Sequence, residues 1–388
     1  MTAVASPPPT GEMRPPQPAT ARVAASLDRV WDRLVALRAW IAVALLLALT
    51  VARTGIGVET GDTIHWVRLA RAFPQPLSDW RTSSVTGPAL ARLLGMDTVA
   101  GWLVLHSLMI VLVVGLVGVL IATRFPTRQA RMVAAIWLAL GSVAPAVAQK
   151  VGWYDVYLVA GVALVVWGGR RGTAVVGGVL IGLTSAEQGV VGLVGAAVVA
   201  AALVDEHGDG IVGRIRRMPI LPDLVAAGAA LALARLAVLA VQRTYGIVVP
   251  TRADVFGRYL GDSLGNAATA GLSGVYAYLG LGWGLVLLAA LALRWDRRRT
   301  AAVLAGLVAL PALVTVTTLD GTRVFAMVSM PAYLVLVARV ADGFGAGTVE
   351  RSLVRRATTA ALLAAPLFPA LMTAPTGDAH FVFPFGGI

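Results

Sequence analysis

The chain has no cysteine and is poor in charged residues, lysine and histidine. Without cysteine among its 388 residues, disulfides, thiolate metal sites and cysteine nucleophiles are excluded. Charged residues make up 13% of the chain, about half of what soluble domains carry. There are four histidines, and Lys150 is the single lysine. A Walker loop, an HExxH helix and a G-x-S-x-G elbow are also missing from the sequence, so neither a nucleotide-driven pump nor a zinc protease is predicted.

What the chain has instead is apolar sequence. Hydrophobic residues make up 58% of it, and the mean hydropathy is +0.80. Its apolar runs recur at lengths of about 17–22 residues, which is enough to cross a bilayer. We predict an all-α, polytopic integral membrane protein with about 11 transmembrane helices. The predicted spans are 38–53, 99–121, 131–148, 154–168, 173–186, 187–204, 224–242, 273–293, 300–318, 324–341 and 357–373. The pair 173–186 and 187–204 is short, and a re-entrant pair is the alternative there.

The net charge of +12 is carried by arginines in short turns between the apolar runs. The positive-inside rule accounts for this placement, so no nucleic-acid partner is predicted. The arginine-bearing segments alternate with the others along the chain, which predicts a cytoplasmic N-terminus and an extracytoplasmic C-terminus. They are 122–131, 168–172, 204–223, 294–299 and 350–356. The skew towards alanine, valine, glycine and arginine is typical of a GC-rich bacterial genome.

The organisation predicted from these runs has four parts. Residues 1–20 form a disordered cytoplasmic tail, and residues 21–37 form an interfacial amphipathic helix. Residues 38–373 form the transmembrane domain, whose first outer loop, 53–98, carries short amphipathic helices. Residues 374–388 form an extracytoplasmic tail. No inverted repeat is visible, and the spans show no charged residue at mid-depth, which weighs against a transporter.

The 53–98 loop is the longest polar segment between two apolar runs, and it supplies the candidate catalytic residues. Asp62 lies about ten residues beyond the first span, where a carboxylate can take a proton from a sugar hydroxyl. His65 would share a helical face with it, and Glu59 is the next acid. The alternative is that Asp62 caps the helix that follows it.

Further polar residues near the outer span ends are candidate substrate-binding residues. They are Lys150, Asp155, Glu187, Gln188, Arg252, Arg258, Asp320 and Arg323. Arg323 could fork onto a phosphate, or anchor at lipid headgroups from an ordinary turn with Asp320. Glu187 could face a pocket, or belong to a helix cap with Ser185. Asp155 could bind substrate, or bond to a neighbouring helix. Arg252 and Arg258 could bind a diphosphate or glycan, or lie on a surface helix.

The layout resembles the C-type fold of glycosyltransferases, which use polyprenyl-phosphate-linked sugars. The resemblance is in the plan: a first span, a long outer loop with the acids Glu59 and Asp62, and about ten further spans over 38–373. It implies an inverting transferase of the bacterial plasma membrane, with its active site on the extracytoplasmic side. Asp62 or Glu59 would be the general base, and Arg323 and Lys150 would hold the phosphate.

The implied partners are a polyprenyl-phosphate sugar donor, a glycan, glycolipid or protein acceptor, and the bilayer itself. No histidine cluster with metal-ligand spacing is present, and a divalent cation stays open as the one cofactor considered. Two other functions stay open. One is a polysaccharide polymerase or ligase of the O-antigen type, which would use Arg252 or Arg258 with Arg323. The other is a lipid or solute transporter.

Overall fold

The computed structural model describes residues 19–58, 60–77, 80–204, 211–247, 252–315, 318, 321–368, 370–373 and 379–382. Within these ranges the regular secondary structure is helical, apart from one short β-hairpin and an isolated bridge between Val58 and Val151. The helices of the first half are α1 Ala19–Ala36, α2 Ala39–Thr54, α3 Thr60–Ala72, α4 Thr86–Leu93, α5 Val99–Arg124, α6 Arg128–Leu140, α7 Val143–Gln149, α8 Asp155–Trp167 and α9 Arg171–Ala202. Those of the second half are α10 Ile211–Arg216, α11 Leu221–Thr244, α12 Arg252–Leu279, α13 Gly282–Ala292, α14 Arg297–Leu304, α15 Leu310–Thr315, α16 Gly321–Ala346 and α17 Arg351–Ala364.

Several of these elements are long and apolar enough to cross a membrane. By length and composition they are α5, α11, the segment Arg297–Thr315, α16 and, counted over its full 32 residues across the break at Ser185, α9, five in all. The number rises to eight if three bent helix pairs each count as one span: α1 with α2, α6 with α7, and α12 with α13. A helical membrane protein is therefore confirmed. The finer count of about 11 stays a prediction.

The helix α9 reverses direction at Ser185, so its two arms, 171–184 and 186–202, form a hairpin. The backbone of Ser185 is non-helical, with φ −156° and ψ 81°. A Cβ placed on Gly189 would lie 2.0 Å from Cγ2 of Ile181. In a straight helix, residues eight apart are separated by about 12 Å along the axis, so this contact requires a reversal. The turn falls where the sequence predicts a boundary between the short runs 173–186 and 187–204.

Small residues bring α9 close to its neighbours α8, α11 and α16. A Cβ on Gly177 would lie 2.4 Å from the carbonyl oxygen of Gly161 in α8, and one on Gly182 would lie 2.6 Å from that of Leu231 in α11. The second arm contacts Pro331 of α16 through Gly192. Glycine at such positions allows backbones to approach closely, which is how helices associate in a membrane. The helix α16 is buried along most of its length and forms the centre of the bundle.

The bundle has two distinct ends. At the first, which we call the loop end, the 53–98 loop contacts other segments: Val85 N–H donates to the carbonyl of Leu183 (2.8 Å), and Gly57 N–H to that of Ala148 (3.0 Å). At the other, which we call the arginine end, Arg124 of α5 pairs with Asp342 of α16. Which end faces the cytoplasm stays a prediction.

Both chain termini differ in detail from the sequence expectation. The last span was predicted over 357–373, but α17 ends at Ala364 and a 3₁₀ turn, Ala365–Leu367, follows. Pro366 lacks the N–H that would continue the helix. Residues 370–373, expected at the end of that span, instead form β1 (Ala370–Thr373), which pairs antiparallel with β2 (Ala379–Val382). At the start of the chain, α1 begins at Ala19 rather than at residue 21 and lies at 117° to α2, and its position at the membrane interface stays a prediction.

Candidate functional site

An aromatic cluster fixes the first loop to the bundle. Trp66 of α3 stacks on Trp102 of α5, with ring centroids 6.1 Å apart and planes at 7°. Trp66 also forms edge-to-face contacts with Trp153 and Tyr154, with ring centroids 6.1 Å and 5.7 Å apart, respectively. Trp102 Nε1 donates to the carbonyl of Gly152 at 2.9 Å, which ties this cluster to the segment before α8. Stacked and edge-to-face aromatic rings attract through their quadrupoles, so α3 is held rigidly.

Asp62 lies in the first turn of α3, one helical turn before Trp66, and forms an ion pair with Arg81. The Arg81 Nη2 to Asp62 Oδ1 distance is 2.5 Å, and the side chains are 15% and 20% exposed, respectively. Arg81 belongs to the 3₁₀ turn Trp80–Ser83 of the same loop. The structure therefore gives Asp62 a charged partner that neither the catalytic nor the capping interpretation anticipated. His65 lies on the same helix with an exposed side chain, and Glu59 lies outside the described residues.

The deepest ion pair of the loop end joins Asp155 and Arg323. Arg323 Nη1 donates to both oxygens of Asp155 at 2.9 Å, and the two side chains are 4% (Arg323) and 2% (Asp155) exposed. The guanidinium carbon also lies 3.8 Å from the ring centroid of Trp153. Asp155 begins α8 and Arg323 lies near the start of α16, so the pair connects two helix starts. A buried guanidinium that is paired and stacked favours a structural role over phosphate binding.

Lys150 lies next to this buried pair. Its Nζ is 6.0 Å from the Trp153 ring centroid, and its side chain is half-buried. Lys150, Asp155 and His106 line one narrow crevice, which has no room for a water molecule. His106 bonds through Nδ1 to the carbonyl of Trp102 at 2.9 Å, so this histidine is a packed member of the aromatic cluster.

A third ion pair lies at the reversal of α9. Arg235 Nη2 of α11 donates to Oε1 of Glu187 at 2.9 Å, with the side chains 21% and 40% exposed, respectively. Arg235 is within an apolar helix and about 13 Å from its end at Thr244. The sequence expectation of no charge at mid-depth was therefore wrong. The sequence feature that indicated a charge within this helix was the single arginine in the apolar run ALALARLAVLA. Gln188, beside Glu187, is buried, and its Oε1 has no hydrogen-bond partner among the described residues.

An apolar cavity of about 240 Å³ lies between the first loop and the helices α9 and α11. Its walls include Leu69, Phe73, Pro74, Pro76, Val85, Pro88, Leu183, Ala237, Val238 and Val241. Four polar side chains also line it: Gln75, Thr82, Ser84 and Gln242. Thr82 directly follows Arg81, so the cavity adjoins the turn that holds Asp62. No pattern in the sequence indicates this cavity, because it forms between segments that are far apart in the chain.

The remaining sequence candidates are less defined. Arg252 and Arg258 fall within α12, as the surface-helix interpretation expected, but their side chains lie outside the described part of the chain. Asp320 lies outside it altogether. Within the described ranges, no group of three or more histidine and acidic side chains could hold a metal ion.

Comparisons with protein-family models, with curated proteins and with solved structures found no match to this chain. The functional assignment therefore depends on the residues of the loop end.

Proposed function

We propose that this protein is a bacterial membrane glycosyltransferase that transfers a sugar from a polyprenyl-phosphate donor to an extracytoplasmic glycan, lipid or protein acceptor. One observation carries the proposal: the partly exposed Asp62–Arg81 pair lies on a loop anchored by ring contacts, and Arg81 directly precedes Thr82, which lines a cavity with apolar walls. Such a combination suits a substrate with a hydrocarbon tail and a polar reacting head. The resemblance in plan to the C-type fold supports the same class.

Asp62 is the general base of the proposed reaction. Its Oδ1 pairs with Arg81, which keeps the carboxylate oriented, and its Oδ2 is left for the acceptor hydroxyl. As the proton moves to Asp62, the acceptor oxygen bonds to the anomeric carbon from the face opposite the phosphate. The bond from that carbon to the phosphate oxygen breaks, and the lipid phosphate leaves with the electron pair. The configuration of the sugar is therefore inverted. Lys150 is a candidate to stabilise the departing charge.

The orientation that this chemistry requires is a loop end that faces outwards from the plasma membrane. The arginine end then faces the cytoplasm. It carries the basic turns after α5 and around α17, which the positive-inside rule places there. In this orientation the donor sugar and the acceptor meet at the outer surface.

The test is sugar transfer by the purified protein in proteoliposomes. Polyprenyl-phosphate-linked hexoses and pentoses carrying a radiolabel are offered with lipid and glycan acceptors from a bacterial envelope. We expect transfer of one of these sugars, and we expect Asp62→Asn to slow it about 10²- to 10⁴-fold. Asp97→Asn is the matched control, because Asp97 lies in the same loop and pairs with Arg92 at 2.8 Å. Full activity in both Asp62→Ala and Glu59→Ala would exclude a catalytic base in this loop.

The ion pair Glu187–Arg235 favours a second candidate function, a lipid or solute transporter. Ionisable groups at membrane depth often mark a substrate path. Transport predicts counterflow of a substrate in proteoliposomes with no covalent product, and abolition of that counterflow by Glu187→Gln. Labelled product that depends on Asp62 would instead exclude transport as the main activity. The polymerase or ligase alternative predicts dependence on Arg252 or Arg258 while Asp62 is dispensable.

A further inference from the structure

The cavity between the first loop and α11 contains an unused hydrogen-bonding group. Ser84 lines it and is 3% exposed, and its Oγ has no hydrogen-bond partner in the described part of the chain. A buried hydroxyl without a partner destabilises the folded protein, and a bound ligand that hydrogen-bonds to it removes this cost. Most of the other lining residues are apolar, among them Leu69, Val238 and Val241. The cavity therefore suits a chain that is apolar along its length and polar at one point.

Arg235 lies one helical turn from this cavity. Val238, a wall residue, is three positions further along α11, and side chains at that spacing are neighbours on the helix surface. Leu183, another wall residue, lies in the α9 turn that carries Glu187. A guanidinium and a carboxylate that are 21% and 40% exposed at this depth are costly to expose to lipid tails. A polar occupant at this position would remove that cost.

We infer that the cavity and Arg235 together bind a single hydrocarbon chain that carries a phosphate. The cavity holds the chain segment next to the phosphate, and the guanidinium of Arg235 takes the phosphate in place of Glu187. A planar guanidinium matches phosphate oxygens with two parallel hydrogen bonds, which a carboxylate held by one oxygen does not provide. At about 240 Å³ the cavity is smaller than a typical drug-sized pocket, so it admits one chain and no bulky headgroup. This inference rests on the proposed function, and it replaces Lys150 by Arg235 as the cation that holds the lipid phosphate of the donor.

The absence of cysteine allows a direct binding test. Val241 lines the cavity and is 46% exposed, so Val241→Cys supplies a single thiol at the opening. Its rate of maleimide labelling is measured in detergent-solubilised protein against increasing concentrations of farnesyl monophosphate. We expect protection that saturates. Neutral farnesol cannot form the charge-assisted hydrogen bonds to Arg235. We therefore expect half-protection to require a farnesol concentration about tenfold to a hundredfold higher than that of farnesyl monophosphate.

Two variants in the Val241→Cys background separate binding from folding. Arg235→Gln should weaken protection by farnesyl monophosphate to the level of farnesol. Arg243→Gln, an exposed arginine of the same helix, should leave protection unchanged. If Arg235→Gln does not fold, the Glu187→Gln variant tests the inference instead. This substitution removes the carboxylate that pairs with Arg235, so farnesyl monophosphate should bind several-fold more tightly. Unchanged protection in both Arg235→Gln and Glu187→Gln would overturn the inference.

A further experiment tests which kind of lipid phosphate, single-chain or two-chain, the site binds. Phosphatidic acid carries a similar phosphate on two chains, and we expect it to protect poorly because the cavity admits one. Equal protection by phosphatidic acid would overturn the single-chain assignment. The readout is binding alone, so its result is distinct from that of the transfer assay. Protection without sugar transfer would leave this site standing and remove the proposed function, whereas transfer without protection would do the reverse.

Discussion

The loop end contains two acid–arginine pairs that share an aromatic cluster but differ in depth. Asp155–Arg323 is almost fully buried, and Trp153 covers its guanidinium. In the Asp62–Arg81 pair, the side chains are 20% (Asp62) and 15% (Arg81) exposed. Trp66 lies between them, one turn from Asp62 and in edge contact with Trp153. The buried pair can hold the helices α8 and α16 together, while the shallower pair remains accessible to a substrate.

The difference in depth sets what each pair contributes. A buried ion pair has lost its water, so removing one partner leaves an uncompensated charge in a medium of low dielectric. A pair near the surface is screened by water and adds little stability. Chemistry needs the opposite arrangement, because a general base must reach its substrate. Stability is therefore expected to depend on Asp155 and activity on Asp62.

The largest effect is expected from breaking the buried pair. Asp155→Asn should lower the free energy of unfolding by about 3–5 kcal/mol, because it leaves the charge of Arg323 buried without its counter-charge. Thermal or denaturant unfolding in detergent measures this. The double variant Asp155→Asn with Arg323→Met removes both charges and should recover part of the loss. A double variant that is no more stable than Asp155→Asn would contradict the ion-pair explanation.

The next effect concerns the aromatic contact between the two pairs. Trp66→Leu keeps an apolar side chain but loses three ring contacts, to Trp102, Trp153 and Tyr154. At about 0.5–1.5 kcal/mol for each of the three aromatic pairs, the expected loss of stability is roughly 1.5–4.5 kcal/mol. Trp66→Phe retains a ring and should lose less. Equal unfolding temperatures for the two variants would show that ring contacts do not anchor α3.

The sequence predicted the positions of the helices better than it predicted the site. Apolar runs located most helices within a few residues, because the bilayer demands a fixed length of hydrocarbon. Glu187 and Asp155 could be singled out because acids near span ends are costly. Their partners could not be predicted, since Arg235 and Arg323 are 48 and 168 positions away in the chain. The cavity and the Asp62–Arg81 pair depend on how the loop folds, which no periodic pattern records.

A smaller effect is expected when the shallower pair is removed. Asp62→Asn should change the free energy of unfolding by about 1 kcal/mol or less, because water reaches both side chains. Thermal unfolding beside Asp155→Asn measures the contrast directly, with Asp97→Asn as the control from the same loop. If Asp62→Asn lowered the free energy of unfolding as much as Asp155→Asn does, the distinction between a structural and an accessible ion pair would be wrong.

The smallest effect is expected at the arginine end, outside the spans. There Asp28 of α1 pairs with Arg355 at 2.8 Å and Arg356 at 2.9 Å, both from α17. The hydrogen bond from Arg356, with the charges of both arginines, holds the pKa of Asp28 below its ordinary value of 3.8. A carboxyl with a lowered pKa in the folded state stabilises it above the ordinary pKa, and this stabilisation is lost as the pH falls through the lowered pKa.

Asp28→Asn should therefore lower the unfolding temperature slightly at pH 6, and this difference from the native chain should shrink as the pH falls below 3.8 and through the lowered pKa of Asp28. Thermal unfolding of the native chain and of Asp28→Asn across this range measures the difference. Asp32→Asn, one turn further along α1, is the control for loss of charge on the same helix. A difference that does not shrink as the pH falls would mean that packing of the side chain, and not its charge, holds α1 against α17. The arginine end would then differ in kind from the ion pairs of the loop end.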